Sequence, residues 1–343
     1  MSFETFLQEM QAKLKNVVPE PEIYIKAEIA YEINKLKVEK NAVILGHNYM
    51  EPALFHSIPD FVGDSLGLSR IAAETDKDII VFCGVRFMAE TAKILNPEKT
   101  VLLPAKKAGC SLASSITAED VRKLRQQFPG VPVVTYVNTY ADVKAESDIC
   151  CTSGNARAVV ESLNSDTVIF LPDEYLAGNV AKETGKHIIF PSKMKSGMDP
   201  NLDYQMIGWH GRCEVHEQFT VKDITDIRAQ YPDVVILAHP ECSPEVVAAS
   251  DFSASTTAMI RHIEQSQAPQ YLLLTECAMG DNIAAANPDK EMLRLCRVRC
   301  PHMNEITLED TLEALQKEQY VIEIPEAIRL RAAKAVERMI AIG

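Results

Sequence analysis

Short runs of apolar residues recur along the chain, and each is followed by a polar side chain. Three such runs, at 43–45, 133–137 and 234–238, are typical of strands buried on both faces of a parallel sheet. The polar residues that follow them are His47, Asn138 and His239, at intervals of 91 and 101 residues. Because ligands bind beyond the carboxyl ends of parallel strands, these strand ends are predicted to carry functional groups.

A second polar segment and a second apolar run follow each of these strands. The polar segments contain Asp64-Ser65, Asp148 to Ser153 and Asp251 to Thr256, and the apolar runs are 79–83, 167–171 and 271–274. The repeated order predicts an α/β fold of three pseudo-symmetric three-layer α/β/α lobes, with parallel sheets around a shared centre. The expected lobes are 1–110 with 301–343, then 111–212, then 213–300. The alternative is that any protein built from βαβ units shows strands at such intervals.

The remaining segments have recognisable local patterns. Helical periodicity and capping residues predict helices over 3–16, 24–40, 117–128 and 308–318, and a terminal helix that begins at Pro325. The segment YVIEI at 320–324 is predicted to be a short strand. Residues 191–212 are rich in Gly, Pro, Met and polar side chains, which indicates an inserted loop.

Composition narrows the class of protein. The 343 residues are 47% hydrophobic, and no apolar run approaches the roughly 18 residues of a spanning helix. The amino terminus lacks the pattern of a signal peptide, which predicts a cytoplasmic protein. A net charge of −13 disfavours nucleic acid as a partner. Nine cysteines in such a chain are expected to be reduced thiols, metal ligands or catalytic groups.

Three cysteines share the spacing of the repeat. Cys110, Cys213 and Cys300 lie in polar or small-residue loops, 103 and 87 residues apart, so each lobe could offer one thiolate to the centre. Three thiolates with an open fourth position suit an iron–sulfur cluster with one iron free for substrate. Three unrelated thiols are the alternative. Cys296 precedes Cys300 by one helical turn and competes with it as the third ligand.

Hydroxyl groups recur at predicted helix starts, namely at Ser65, Ser153 and Ser255-Thr256. Such groups either cap the helix or bind phosphate and carboxylate, and their threefold recurrence favours an anion site. A serine hydrolase with Ser65 as nucleophile is disfavoured, because the chain has no Asp-x-x-His to supply its base. No nucleotide-binding glycine motif is present either.

Proton-transfer groups form the third set of candidates. They lie at or near the three strand ends and comprise His47, Tyr49, Tyr136, Asn138, His239 and Glu241. A single histidine or tyrosine at a strand end is usually structural. Six such groups at three equivalent positions suit carbonyl or imine chemistry.

The chain resembles the quinolinate synthase family over nearly its whole length. The resemblance is carried by GHNY, FVGDSL, GVRFMAETAKILNP, AGCSLA, YVNTYADVKAESD, TSGNA, GRCEVHEQF, ILAHPEC, AST and CPHMNEIT. It implies three α/β lobes around a central 4Fe-4S cluster, one per chain, held by Cys110, Cys213 and Cys300. Cys300 is preferred to Cys296 because the segment that follows it matches the family.

The resemblance also implies a reaction, in which iminoaspartate condenses with dihydroxyacetone phosphate to give quinolinate, phosphate and two waters. Glu241 would be the general base, Tyr49 and Tyr136 proton shuttles, and Asn138 a carbonyl-orienting group. His47 and His239 would hold substrate oxygens. Ser65 and Ser153 would bind phosphate, whereas Ser255 and Thr256 would bind a carboxylate. An aspartate-oxidising enzyme would supply the imine, and neither nucleic acid nor membrane is implied.

Two departures from the family pattern bear on these expectations. The 191–212 segment is longer than the shortest versions of this loop, and the third ligand region has CxxxC where some members have CxxCxxC. A redox link between Cys296 and Cys300 is therefore a hypothesis. Two other functions are weighed against the implied one: a cluster-bearing hydro-lyase of the aconitase type, and a non-enzymatic iron–sulfur sensor.

Overall fold

The computed structural model describes residues 1–190, 205–295 and 298–343. The first lobe opens with two helices, α1 (Phe3–Leu14) and α2 (Glu20–Glu39). It continues through β1 (Ala42–His47), α3 (Pro52–Phe55), β2 (Phe61–Gly63), α4 (Ser65–Glu74), β3 (Ile79–Cys83), α5 (Arg86–Leu95) and β4 (Thr100–Leu102). Its four strands are all parallel, in the order β2-β1-β3-β4.

The second lobe repeats this arrangement. Its elements are α6 (Ala118–Gln127), β5 (Val133–Tyr136), α7 (Ala141–Ala145), β6 (Ile149–Cys151), α8 (Ala156–Ser162), β7 (Val168–Leu171), α9 (Glu174–Thr184), β8 (Ile188–Ile189) and β9 (Met206–Ile207). The sheet order is β6-β5-β7-β9-β8, again parallel throughout. The first three strands therefore take the same positions as in the first lobe.

The third lobe repeats it once more. Its elements are α10 (Val221–Gln230), β10 (Val235–Ala238), α11 (Pro244–Ala249), β11 (Phe252–Ser253), α12 (Thr256–Gln265), β12 (Gln270–Leu274), α13 (Cys277–Ala286) and β13 (Glu291–Leu293). The parallel order β11-β10-β12-β13 matches the first lobe strand for strand. The prediction of three similar α/β lobes with parallel sheets is confirmed.

Two helices complete the chain, α14 (Leu308–Lys317) and α15 (Glu326–Ile340). α14 packs on α2 and β3 of the first lobe, whereas α15 packs on α5 of the first lobe and on α7 and β6 of the second. The terminal segment thus joins two lobes. The assignment of 301–343 to the first lobe stays a prediction.

Burial explains why strands of these sheets read as apolar runs. Every residue of β1, β3 and β5 is buried, because helices cover both faces of each sheet. Helix starts follow the capping rules: Asp64 accepts from the backbone N–H of Gly67 at 2.9 Å, and Thr117 and Asp120 form a capping box at α6. The helices predicted at 3–16, 24–40, 117–128 and 308–318 are present with small shifts at their ends.

Two local predictions were wrong. Part of the predicted 191–212 loop is a strand, because Met206 and Ile207 are buried and pair in parallel with both β7 and β8. The rest of that prediction, 191–204, lies outside the described residues. The predicted strand at 320–324 is only an isolated antiparallel bridge between Leu102 and Val321. Tyr320 has a φ of +61°, which departs from extended geometry and keeps the pairing short.

No helix within 1–190, 205–295 or 298–343 is long and apolar enough to cross a membrane.

Candidate active site

The carboxyl ends of the three sheets meet at one cavity. Its empty volume is about 710 Å³, counting space that opens to solvent. It is lined by groups from all three lobes, among them His47, Tyr49, Ser65, Cys110, Tyr136, Asn138, Ser153, Cys213, His216, His239, Glu241, Thr256 and Cys300. The structure therefore brings together every predicted site residue except Ser255.

Glu241 is the centre of the polar network. It follows β10 and is buried. One carboxylate oxygen accepts from the Tyr136 hydroxyl and from Asn138 Nδ2 at 3.2 Å, and the other lies 2.7 Å from His216 Nδ1. Burial by itself would raise the pKa of Glu241, but the His216 charge, the His216 contact and the other donors lower it overall. The carboxylate is therefore ionised at neutral pH.

His216 was missed by the sequence reasoning, together with Thr275. The His216 ring stacks on His239, with ring centroids 4.6 Å apart. Its Nε2 lies 2.9 Å from the Thr275 hydroxyl, which in turn lies 2.5 Å from the Tyr49 hydroxyl. A continuous polar chain thus runs from Glu241 to Tyr49. Thr275 directly follows β12, so the rule used for the other strand ends could have found it.

The two strand-end histidines have matching geometry. His47 Nδ1 accepts from the backbone N–H of Tyr49 at 3.2 Å, and His239 Nδ1 accepts from that of Glu241 at 3.3 Å. Burial lowers the pKa of His47 to about 4, and burial with the His216 charge lowers that of His239 to about 3. Both rings are therefore neutral at neutral pH. Since each Nδ1 is an acceptor, each Nε2 carries the proton and can donate it to a substrate oxygen.

The two tyrosines remain protonated. Burial, followed by the nearby charge of Glu241, raises the pKa of Tyr49 and of Tyr136 well above the ordinary value. Both phenols are buried hydrogen-bond donors at neutral pH. A phenol that donates to an ionised carboxylate can transfer its proton along that hydrogen bond. Tyr136 and Glu241 are therefore arranged for proton transfer.

The three candidate cysteines line the same cavity. Burial raises the pKa of Cys110 to about 12 and that of Cys300 to about 11, and it also raises the pKa of Cys213. A different set, Cys213, His216 and Glu241, has its ligand atoms within 4.8 Å of one another, which is single-ion spacing. A multi-iron cluster separates its thiolates more widely than a single ion does. Cys296 lies outside the described residues.

The hydroxyl groups divide into two kinds. Ser65, Ser153 and Thr256 line the cavity, and Thr256 Oγ1 accepts from Asn48 Nδ2 at 2.9 Å, so its own proton is available to a ligand. Ser255 caps α12 and donates to Asp64 at 2.9 Å. It joins the third lobe to the first and is not among the residues that line the cavity.

These observations define a class of protein: a three-lobed α/β protein whose strand ends enclose a cavity with histidines, tyrosines, carboxylates and three thiols. Such a cavity suits acid–base and metal-assisted chemistry on a small molecule. The chain belongs to the family described as "Quinolinate synthetase A protein", whose model matches residues 31–341. The resemblance seen in the sequence is confirmed.

Named relatives agree with the family. Quinolinate synthase 2 of Mesorhizobium japonicum is 55% identical over 307 residues, which cover 90% of this chain and 89% of that protein. Quinolinate synthase of Xylella fastidiosa is 54% identical over 310 residues, with 90% and 86% covered. Quinolinate synthase of Agrobacterium fabrum is 52% identical over 330 residues, with 96% and 90% covered.

Proposed function

We propose that this enzyme is a quinolinate synthase, a transferase that condenses iminoaspartate with dihydroxyacetone phosphate and releases phosphate and two waters. The observation that carries the proposal is the single cavity in which Glu241, Tyr136 and Asn138 face the three cysteines. The reaction needs no external oxidant. Five carbons of the two substrates and the imine nitrogen form the pyridine ring, two carbons remain as its carboxylates, and the departing oxygens leave as phosphate and water.

The same proposal includes a 4Fe-4S cluster held by Cys110, Cys213 and Cys300. The donor set fits, because one thiol from each of three separate loops reaches the cavity and none of these three cysteines is in a disulfide. Thiolates are the ligands that such clusters use, and three of them leave one iron open. When bound, the cluster would act as a Lewis acid on a substrate oxygen during dehydration. Cluster binding must also release the thiol protons that burial retains.

The strand-end groups would perform the proton transfers. Glu241 is ionised and accepts from Tyr136, so it can take a proton from the substrate carbon next to the imine while Tyr136 returns one to an oxygen. Tyr49 would act from the other end of the chain that passes through Thr275 and His216. Asn138 Nδ2, which points at the same carboxylate, would orient a carbonyl.

The remaining groups would hold the substrates. The Nε2–H groups of His47 and His239 would donate to substrate oxygens. Ser65 begins α4, where a hydroxyl and free backbone N–H groups can bind phosphate together with Ser153. Thr256 would bind a carboxylate. Ser255 could bind the same carboxylate only if its hydroxyl gave up its hydrogen bond to Asp64.

Two wider features belong to the proposal. We place the enzyme in the cytoplasm, where reduced thiols persist. Its imine substrate would come from an enzyme that oxidises aspartate, which makes that enzyme a functional partner.

The test is product formation by the anaerobically purified, iron- and sulfide-loaded protein. Dihydroxyacetone phosphate is mixed with iminoaspartate generated in place from oxaloacetate and ammonia, and quinolinate is measured by mass spectrometry. Quinolinate that depends on both substrates and on Glu241 supports the proposal. If the loaded protein makes no quinolinate but dehydrates a hydroxy acid, the aconitase-type function replaces the proposed one. A loaded protein inert towards both would favour the sensor.

A further inference from the structure

The helix after the third strand of each lobe reaches the loop after the first strand of the next lobe. α9, in the second lobe, reaches the loop after β10. There Asn179 Nδ2 donates to the carbonyl oxygens of Pro240 at 2.8 Å and Cys242 at 3.0 Å. These carbonyls flank Glu241. Asn179 is 4% exposed, and both N–H bonds of its amide are used by this loop.

α13, in the third lobe, makes the same contact with the first lobe. Asn282 Nδ2 donates to the carbonyl oxygens of Asn48 at 3.2 Å and Met50 at 2.8 Å. These carbonyls flank Tyr49. Asn282 is 3% exposed, and like Asn179 it is the sixth residue of its helix. The two amides therefore occupy equivalent positions in the pseudo-symmetric fold.

α5, in the first lobe, makes the third contact between lobes, through a carboxylate in place of an amide. Glu90 Oε2 accepts from the backbone N–H of Ala141 at 2.8 Å, at the start of α7 in the second lobe. The carbonyls that flank Asn138 are held from within the second lobe, because Lys144 Nζ donates to Val137 at 2.9 Å and to Thr139. Glu90 and Lys144 are both buried. The contacts between lobes thus form a closed cycle, from the first lobe to the second, from the second to the third and from the third back to the first.

We propose that Asn179 and Asn282 are positioning residues, by which one lobe fixes the reactive side chain of the next. An amide that holds the carbonyls before and after a residue restrains the backbone dihedrals on both sides of that residue. The direction of its side chain is thereby set. Asn179 fixes Glu241 against Tyr136, and Asn282 fixes Tyr49 against Thr275. This inference rests on the proposed function, in which Glu241 and Tyr49 transfer protons.

A purely structural role makes a different prediction, and the chain contains a matched control. Asn96 is also buried, at 7% exposure, and its Nδ2 donates to the carbonyl oxygens of Ala72 at 2.8 Å and Ala92 at 3.0 Å. Within the described residues, neither Asn96 nor its two partners line the cavity. If these amides only satisfy buried carbonyls, removing any of the three has the same kind of effect.

The experiment compares Asn179→Leu, Asn282→Leu and Asn96→Leu in the cluster-loaded enzyme. Leucine keeps the approximate shape and removes the donors. All three variants should melt at a lower temperature and keep wild-type iron and sulfide. Below their melting temperatures, Asn179→Leu and Asn282→Leu should lose about 10- to 100-fold in kcat, the scale of a 1 Å misplacement. Asn96→Leu should stay within about twofold of wild type.

The proposal is overturned if the first two variants keep wild-type kcat, or if Asn96→Leu loses as much as they do. Where a leucine variant does not fold, Asn179→Ser or Asn282→Ser, which retains one donor, is judged by the same comparison. If the wild type makes no quinolinate, the proposed function fails separately. Positioning is then judged by amide hydrogen exchange, which should accelerate in 239–243 only for Asn179→Leu and in 47–51 only for Asn282→Leu. Unchanged exchange in those peptides would overturn it.

Discussion

Replacing Glu241 with glutamine tests the centre of the proposed acid–base machinery. Glutamine keeps the size of the side chain and one oxygen acceptor for Tyr136 and Asn138, but it removes the negative charge and the ability to take a proton. The Tyr136 hydroxyl contacts Glu241, whereas Asp64 and Glu214, which also line the cavity, contact Ser255 and His302 and are not placed to replace this base.

The magnitude follows from the role. A positioned general base contributes about 10²- to 10⁴-fold, which corresponds to about 3–5 kcal/mol of transition-state stabilisation. Since proton removal occurs only in the transition state, kcat and kcat/KM should fall together by that factor. A loss confined to KM would instead identify Glu241 as a binding group.

The assay is anaerobic quinolinate formation, with iron, sulfide and melting temperature measured on the same samples. Glu146→Gln is the matched control, because Glu146 is a largely buried carboxylate, with 13% of its side chain exposed, that pairs with Arg122 and Arg331 outside the cavity. That variant should keep wild-type kcat. A folded, fully loaded Glu241→Gln enzyme that works within about threefold of wild type would refute the reasoning.

Three further changes test the structure away from the base. Tyr271→Phe should leave stability unchanged or raise it by about 1 kcal/mol in urea unfolding, because the buried Tyr271 hydroxyl has no hydrogen-bond partner among the described residues. Burial, followed by Lys13, lowers the pKa of His56 from 6.5 to about 4, so in that pH range the unfolded chain binds a proton that the native state does not. The free energy of unfolding should therefore fall as the pH drops from 6.5 towards 4, and it should fall less steeply in His56→Gln than in wild type. Urea unfolding of both proteins without metal, at about pH 7 and pH 5, makes the comparison. An added Cβ at Gly211 would lie 2.5 Å from Ser115 Oγ and 2.6 Å from the Pro172 carbonyl oxygen. Gly211→Ala should cost about 1–3 kcal/mol and lower the iron bound through Cys213, whereas Gly280→Ala, whose nearest neighbour is 3.7 Å away, should do neither.

The parts of the fold visible in the sequence are those that depend on local pattern. β1, β5 and β10 were predictable because strands covered by helices on both faces must be apolar along their whole length. Their polar ends were predictable for the same reason, since the chain changes character where it leaves the sheet. β9 was not predictable, because two residues carry too little pattern and both partner strands, β7 and β8, are separated from it by other segments.

The parts of the site that were missed depend on contacts between segments that are distant in the sequence. His216 sits in a short turn after Cys213, and its importance comes from Glu241 and Thr275, which belong to other segments. Asn179 and Asn282 look like ordinary helix residues until the neighbouring loops are in place. Ser255 shows the reverse case: a hydroxyl at an expected binding position makes a cap and a bond to Asp64.

The central claim, that three cysteines from three loops hold an open-site cluster, is tested most directly by iron and acid-labile sulfide in the anaerobically purified protein. Wild type and Cys296→Ala should contain about four of each per chain, and Cys300→Ala should lose them. Iron that persists in Cys300→Ala but is lost in Cys296→Ala would contradict the assignment of the third ligand. A wild-type protein without iron would contradict the cluster itself and the Lewis-acid chemistry proposed for it.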